Sequence, residues 1–196
     1  MRTLLMCILV TVTGVTIGRT LPVGTLPTSA YADTEVVTNC VFSLEDPNVR
    51  CLLMTLELTA TSSNNVEIAF GRDYDGDQSL SVKEIEMSVG WDSGNWFLRQ
   101  GPAAGPGELS DWRTPAVTDR ASKRFVFALD LRIDVPKTID AAENGLPVEW
   151  TLPDPLPSWM FRRSWNMVRI AVRGVDAPEE SIRVKAMVNG TTVIVR

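Results

Sequence analysis

The chain has 196 residues, 44% of them apolar and 22% charged, which is ordinary for a globular protein and enough for one domain with a sizeable core. It is acidic, with 19 Lys plus Arg against 24 Asp plus Glu, so it has no general attraction for nucleic-acid phosphates or anionic lipid. It contains no histidine, which excludes Ser–His–Asp and Cys–His catalysis and zinc held by imidazole.

At the N-terminus, Arg2 precedes an apolar run over residues 4–18. That run is shorter than the about 20 residues of a membrane helix and suits the hydrophobic region of a secretory signal peptide. Ala30-Tyr31-Ala32 is an A-x-A cleavage site, which gives a signal peptide over residues 1–32 and a single mature domain over residues 33–196. Cleavage nearer Gly18 and an uncleaved anchor are the alternatives. The expected location is secreted, periplasmic or cell-surface, with no membrane span after cleavage.

Cleavage removes Arg2 and Arg19, leaving 17 basic against 24 acidic residues and a formal charge of −7. It also removes Cys7 and leaves Cys40 and Cys51. In an oxidising compartment these two are expected to form a disulfide, worth about 3 kcal/mol in the chain-entropy model. Two buried thiols are the alternative.

Strand signals come next along the chain. Residues 52–58 alternate, and so do Val66, Ile68 and Phe70. Residues 125–133 place Phe125, Phe127, Leu129, Leu131 and Ile133 on one face, and residues 167–172 read the same way. Period two with one apolar face marks antiparallel sheet. Near the C-terminus, Asn189-Gly190 between β-branched runs is a hairpin signal. The turn accounts for the glycosylation sequon Asn189-Gly190-Thr191. GPAAGPG over residues 101–107 and TLPDPLP over residues 151–157 are irregular connectors. The expected fold is mainly β: a single antiparallel β-sandwich, jelly-roll or immunoglobulin-like, with one short helix.

The helix is expected inside an insertion at about residues 71–97, which opens GRDYDGDQSLSVKEIEMSVGW. Val82, Ile85 and Val89 form a stripe at helical spacing, Ser81 and Glu84 form a capping box, and Gly90 stands where a helix would end. Asp73, Asp75, Asp77, Ser79, Ser81 and Glu84 occupy the first, third, fifth, seventh, ninth and twelfth places of one loop. This resembles the EF-hand calcium loop, including the dockerin-type versions of exported proteins, over about a dozen residues and the expected helix after them. The resemblance implies direct ligation by Asp73, Asp75 and Asp77, the backbone carbonyl of Ser79, Ser81 directly or through water, and both oxygens of Glu84. It also implies that Leu80 pins the loop to the core. The sequence departs from the family at Gln78, where glycine is preferred, and in a strand-like approach over residues 66–70. The unit is strand–loop–helix without a paired second loop, which suits a structural extracellular site more than a sensor. A helix cap alone accounts for Ser81 and Glu84 but not for three aspartates in register with them.

Six tryptophans are present. Trp91 and Trp96 are expected to pack the helix on the sheet. In SWMFRRSW, Trp159, Phe161, Arg162, Arg163 and Trp165 interleave aromatic and basic residues and form a candidate ligand or partner surface, with a solvated strand entry as the alternative. Asp130, Asp134, Asp140, Glu143 and Glu149 are available to carboxylate chemistry, but no catalytic motif singles them out. The expectation is a non-enzymatic, calcium-binding exported protein serving adhesion, envelope assembly or ligand binding, with a protein or glycan partner. A carbohydrate-binding module using exposed tryptophan and a carboxylate-based glycoside hydrolase are the alternatives.

Overall fold

A computed structural model describes residues 36–41, 49–59, 65–105, 110–131, 138–173 and 182–188. The signal peptide and the Asn189-Gly190 turn lie outside the described residues. The alternating segments are strands: β1 (Val36–Val41), β2 (Val49–Thr59), β3 (Asn65–Gly71), β4 (Ile85–Asp92), β5 (Asn95–Gln100), β6 (Asp111–Pro115), β7 (Ser122–Asp130), β8 (Ile139–Glu143), β9 (Leu146–Pro147), β10 (Met167–Arg173) and β11 (Ile182–Val188). All pairings are antiparallel, in one six-stranded sheet of order β1-β10-β3-β4-β5-β6 and one five-stranded sheet of order β11-β2-β7-β8-β9.

The period-two pattern decides which face of each strand is inside. Leu52, Met54, Leu56 and Leu58 of β2 lie opposite Leu129, Phe127, Phe125 and Lys123 of β7. With Val66, Ile68 and Phe70 of β3 and Val168, Ile170 and Val172 of β10, the apolar members of these strands form one core between the sheets. The Trp96 and Phe125 rings stack across the layers, centroids 4.1 Å apart and 14° from parallel. Burying each such side chain contributes about 1.5–3 kcal/mol.

The expected helix is not formed. Val82–Glu84 is a single 3-10 turn, and Ile85–Asp92 continues as the inner strand β4, paired with β3 and β5. The stripe Val82, Ile85, Val89 competes with Ile85, Met87, Val89 and Trp91, which is complete at period two. Burial on both faces of a central strand favours the second; Val82 stays exposed while Met87, Val89 and Trp91 join the core. Ser93 (φ 51°) and Gly94 (φ 88°) form the two-residue turn to β5, both in the left-handed region that primed hairpin turns require. Trp91 and Trp96 therefore face each other as a cross-strand pair, centroids 4.8 Å apart.

No disulfide is found among the described side chains. Cys40 belongs to the six-stranded sheet, in register with Val168. Cys51 belongs to the five-stranded sheet, in register with Asp130, and its thiol donates to the Leu52 carbonyl at 3.5 Å. The side chain of Cys40 lies outside the described residues.

Candidate functional site: an acidic loop and an open sheet face

The loop between β3 and β4 wraps on itself through its own carboxylates. Asp73 accepts the N–H groups of Gly76 (2.7 Å) and Gln78 (3.0 Å), and Asp77 accepts that of Ser79 (2.8 Å). Asp75 accepts the Asp77 N–H at 3.2 Å. Glu84 closes the loop from the 3-10 turn, accepting Tyr74 N–H at 2.8 Å and both the N–H and hydroxyl of Ser81, at 2.9 and 2.7 Å. Short acidic side chains bonding backbone a few residues on is what winds such a turn. The bend uses left-handed backbone at Gly76 (φ 77°) and at Gln78 (φ 64°), so the position where the EF-hand pattern prefers glycine does adopt the conformation glycine would ease. Leu80 is buried with Ala69, Ile85 and Met167 and anchors the loop. Asp73 N–H reaches Asn166 and Leu80 N–H reaches Asn39, tying the loop to β1 and to the approach to β10.

Carboxylate oxygens of Asp73, Asp75 and Glu84 all lie within 4.8 Å of one another, a triad able to hold a metal ion. Asp77 lies outside that triad. The Asp77 N–H draws the Asp75 carboxyl downwards, but burial and the charges of Asp77 and Glu84, with the Asp73 contact, prevail and raise its pKa. Glu84 is lowered, first by the Ser81 hydroxyl and then by the Tyr74 and Ser81 N–H groups. The loop thus gathers carboxylates on protein donors, with the charge of Glu84 favoured by its hydrogen bonds and that of Asp75 opposed by its acidic neighbours.

Of the second candidate surface, Trp165 is inside. It is 1% exposed, stacks on Phe70 and donates its indole N–H to buried Glu86 at 3.0 Å. Glu86 also takes Arg162 at 3.3 Å and the Tyr74 hydroxyl at 3.3 Å, and Arg163 donates to the Leu131 carbonyl. Arg162 and Arg163 thus tie this segment to Glu86 and to Leu131. The backbone of Trp159 and Phe161 forms a 3-10 turn, Ser158–Phe161; their side chains lie outside the described residues. Trp91 and Trp96 are buried, and Trp112 and Trp150 pack against the core, so none of these is an open stacking platform.

Among the acids, Glu143 is fully buried and engaged by Lys123. Asp140 is half-buried, and its pKa is raised by burial and then by the Asp130 charge. Asp134 lies outside the described residues, and Glu149 is exposed.

Sequence periodicity did not reveal a depression on the outer face of the six-stranded sheet. Asn65 and Glu67 of β3, Phe97 and Arg99 of β5 and Arg173 of β10 line it. Strand β4 crosses beneath with Gly90, which lies between Glu67 and Phe97 in the register. The Arg99 guanidinium sits 4.7 Å from the Phe97 ring centroid and bonds Asp111 through Nε at 3.3 Å. The available signal was Asn65 and Glu67 of β3 and Arg99 of β5, polar residues at outward positions.

Two antiparallel sheets packed over one core define a β-sandwich protein. No protein-family model matches the chain, and no curated protein does. Among solved structures, the carbohydrate recognition domain of Emp46p in its metal-free form matches with a TM-score of 0.50 at 6% identity, over 83% of this chain and 79% of that one. Human galectin-16 (TM-score 0.44, 14% identity, 83% and 99% covered) and the CBM40 module of the Ruminococcus gnavus IT-sialidase (0.44, 11%, 78% and 92%) are also similar. At these identities the likeness is one of fold.

Proposed function

We propose that this chain is an exported, non-catalytic carbohydrate-binding β-sandwich in which the acidic loop holds calcium as a structural brace. The observation that carries the glycan reading is the depression on the six-stranded sheet. It brings an amide, a carboxylate and two guanidinium groups together at one surface, above the buried ring of Phe97. A sugar presents the complement, hydroxyls that bond planar polar side chains. The fold shared with a carbohydrate recognition domain agrees with this reading. Trp91, Trp96, Trp112, Trp150 and Trp165 take no part in it, since each is buried or packed against the core.

In a glycan array probed with the full chain in calcium, a defined subset of glycans is expected to bind. Asn65→Ala is expected to weaken them about tenfold, the worth of one well-placed hydrogen bond. An array without any bound glycan would sink the reading.

The calcium reading rests on the triad Asp73, Asp75 and Glu84 within the EF-hand-like order of residues 73–84. Hard oxygen donors on a preformed turn suit Ca²⁺, which takes six to eight oxygens, with extracellular affinities on the order of 10⁻⁴–10⁻³ M. Calcium at a hundredfold excess over its dissociation constant should stabilise the fold by about 2.7 kcal/mol. Asp73→Ala should abolish that gain, because Asp73 also winds the loop. Thermal melts with and without calcium measure both effects; identical melts of the parent chain would remove calcium from the account.

A further inference from the structure

The charges on the outer face of the six-stranded sheet do not balance, and the surplus lies at the depression. Glu67 is held by Arg169 at 3.4 Å. Asp92 is held by Arg113 at 2.8 Å, and Asp111 is shared by Arg113 at 3.2 Å and Arg99 at 3.3 Å. Each of these acids therefore has a guanidinium already. Among the described residues, the two terminal nitrogens of Arg99 make no hydrogen bond, since its bond to Asp111 runs through Nε. Arg173 has no ion-pair partner among the described residues and is exposed at the rim of the depression.

We propose that this depression accepts an acidic saccharide, with Arg99 and Arg173 binding its carboxylate or sulfate group. The inference rests on the carbohydrate-binding reading of the same face and names the class of sugar. Arg99 is prepared for the task. Its Nε bond to Asp111 and its stacking over Phe97 fix the plane of the guanidinium, and the free edge is a fork that matches two oxygens of one anion. Little side-chain freedom is then lost on binding. Glu67, neutralised by Arg169, and Asn65 line the depression from β3, where they serve hydroxyls. A net acidic chain of −5 with a cationic spot on one sheet face selects for a small, well-positioned anion over a diffuse polyanion.

The test is calorimetric titration of the full chain, in calcium and about 0.15 M salt, with three oligosaccharides: an oligogalacturonate, a sulfated galactan fragment and the neutral galactan of equal length. At least one acidic sugar should bind tenfold or more tighter than the neutral one, and the two acidic arms tell carboxylate from sulfate. Arg99→Gln and Arg173→Gln should each reduce the acidic affinity about tenfold, as for a charge-assisted bond, and weaken the neutral sugar less, so that the acidic preference narrows. Arg99→Lys should fare no better than Arg99→Gln, because an ammonium cannot present the fork. Unchanged melting temperatures show that the variants fold. Neutral sugar bound as tightly as acidic would overturn the acidic preference while the glycan-binding reading stands. Acidic binding that survives the Arg99→Gln, Arg173→Gln double variant would overturn the assignment to this depression. No sugar bound in any arm, and none on the array, would remove both.

Discussion

Glu143→Ala is expected to be among the most damaging single substitutions in the sandwich, costing about 3–5 kcal/mol, the range for breaking a buried ion pair from one side. Glu143 is fully buried and Lys123 nearly so, with Nζ and Oε1 2.9 Å apart. The same carboxylate accepts the Trp96 indole N–H at 2.6 Å, the N–H groups of Val117 at 2.9 Å and Thr118 at 3.0 Å, and the Thr118 hydroxyl. Removing it strands a buried ammonium and several donors at once. Burial alone would raise its pKa; the bonds from Thr118, Trp96, Lys123 and Val117 outweigh that and lower it to about 2 from 4.5. A carboxylate depressed in the folded state contributes stability that is fully present above its unfolded pKa. That contribution is lost as pH falls from 4.5 towards about 2. The shift corresponds to about 3 kcal/mol. Urea unfolding at pH 7 and at pH 3 checks both statements. The parent chain should weaken on acidification, and Glu143→Gln should be weaker at pH 7 yet flatter in its pH response. A variant as stable as the parent at pH 7 would refute the account of the pair.

Gly90→Ala is expected to cost about 3 kcal/mol, at the upper end for forcing extra volume into a packed site. A Cβ built at Gly90 meets the Val66 carbonyl oxygen at 1.8 Å and the Phe97 ring at 3.1 Å. Strands β3 and β4 would have to part, and the Phe97 ring that supports Arg99 would tilt. Gly94→Ala is the comparison. Nothing lies within 4 Å of a Cβ there, and only the left-handed φ of 88° opposes it, a cost of about 1–2 kcal/mol. Thermal melts should therefore rank the two, with Gly90→Ala also weakening glycan binding. Equal losses would mean that close approach at Gly90 does not govern the sheet.

The sheets were legible wherever one face is wet. Residues 52–58 alternate cleanly because β2 buries one side, and the described core members predicted on β2, β3, β7 and β10 are in the core, although β7 also buries Val126 and Asp130 on its other face. The pattern misled at β4, where both faces are covered and Ser81 and Glu84 imitate a helix start. Their mutual bonds exist, but they close the acidic loop and one 3-10 turn, and β4 takes over at Ile85. The turn dipeptide Asn144-Gly145, φ 50° and 84°, carried the same hairpin signal as Asn189-Gly190 and went unused. Three of the loop's carboxylates converge in the folded chain, and their order along the sequence was enough to suggest it. The depression was not legible, since Asn65, Arg99 and Arg173 come from three strands whose register only the folded chain fixes.

The far side of the sandwich ends in β6 and β9. Strand β6 alternates exposed Asp111, Arg113 and Pro115 with half-buried Trp112 and Thr114, and β9 is two residues long and includes Pro147. Charge, proline and brevity each discourage another strand from docking sideways. Along that flank the molecule is closed to lateral templating. Copies of the chain could crowd together without zipping into fibrils there, and encounters on that side are left to the broad sheet faces.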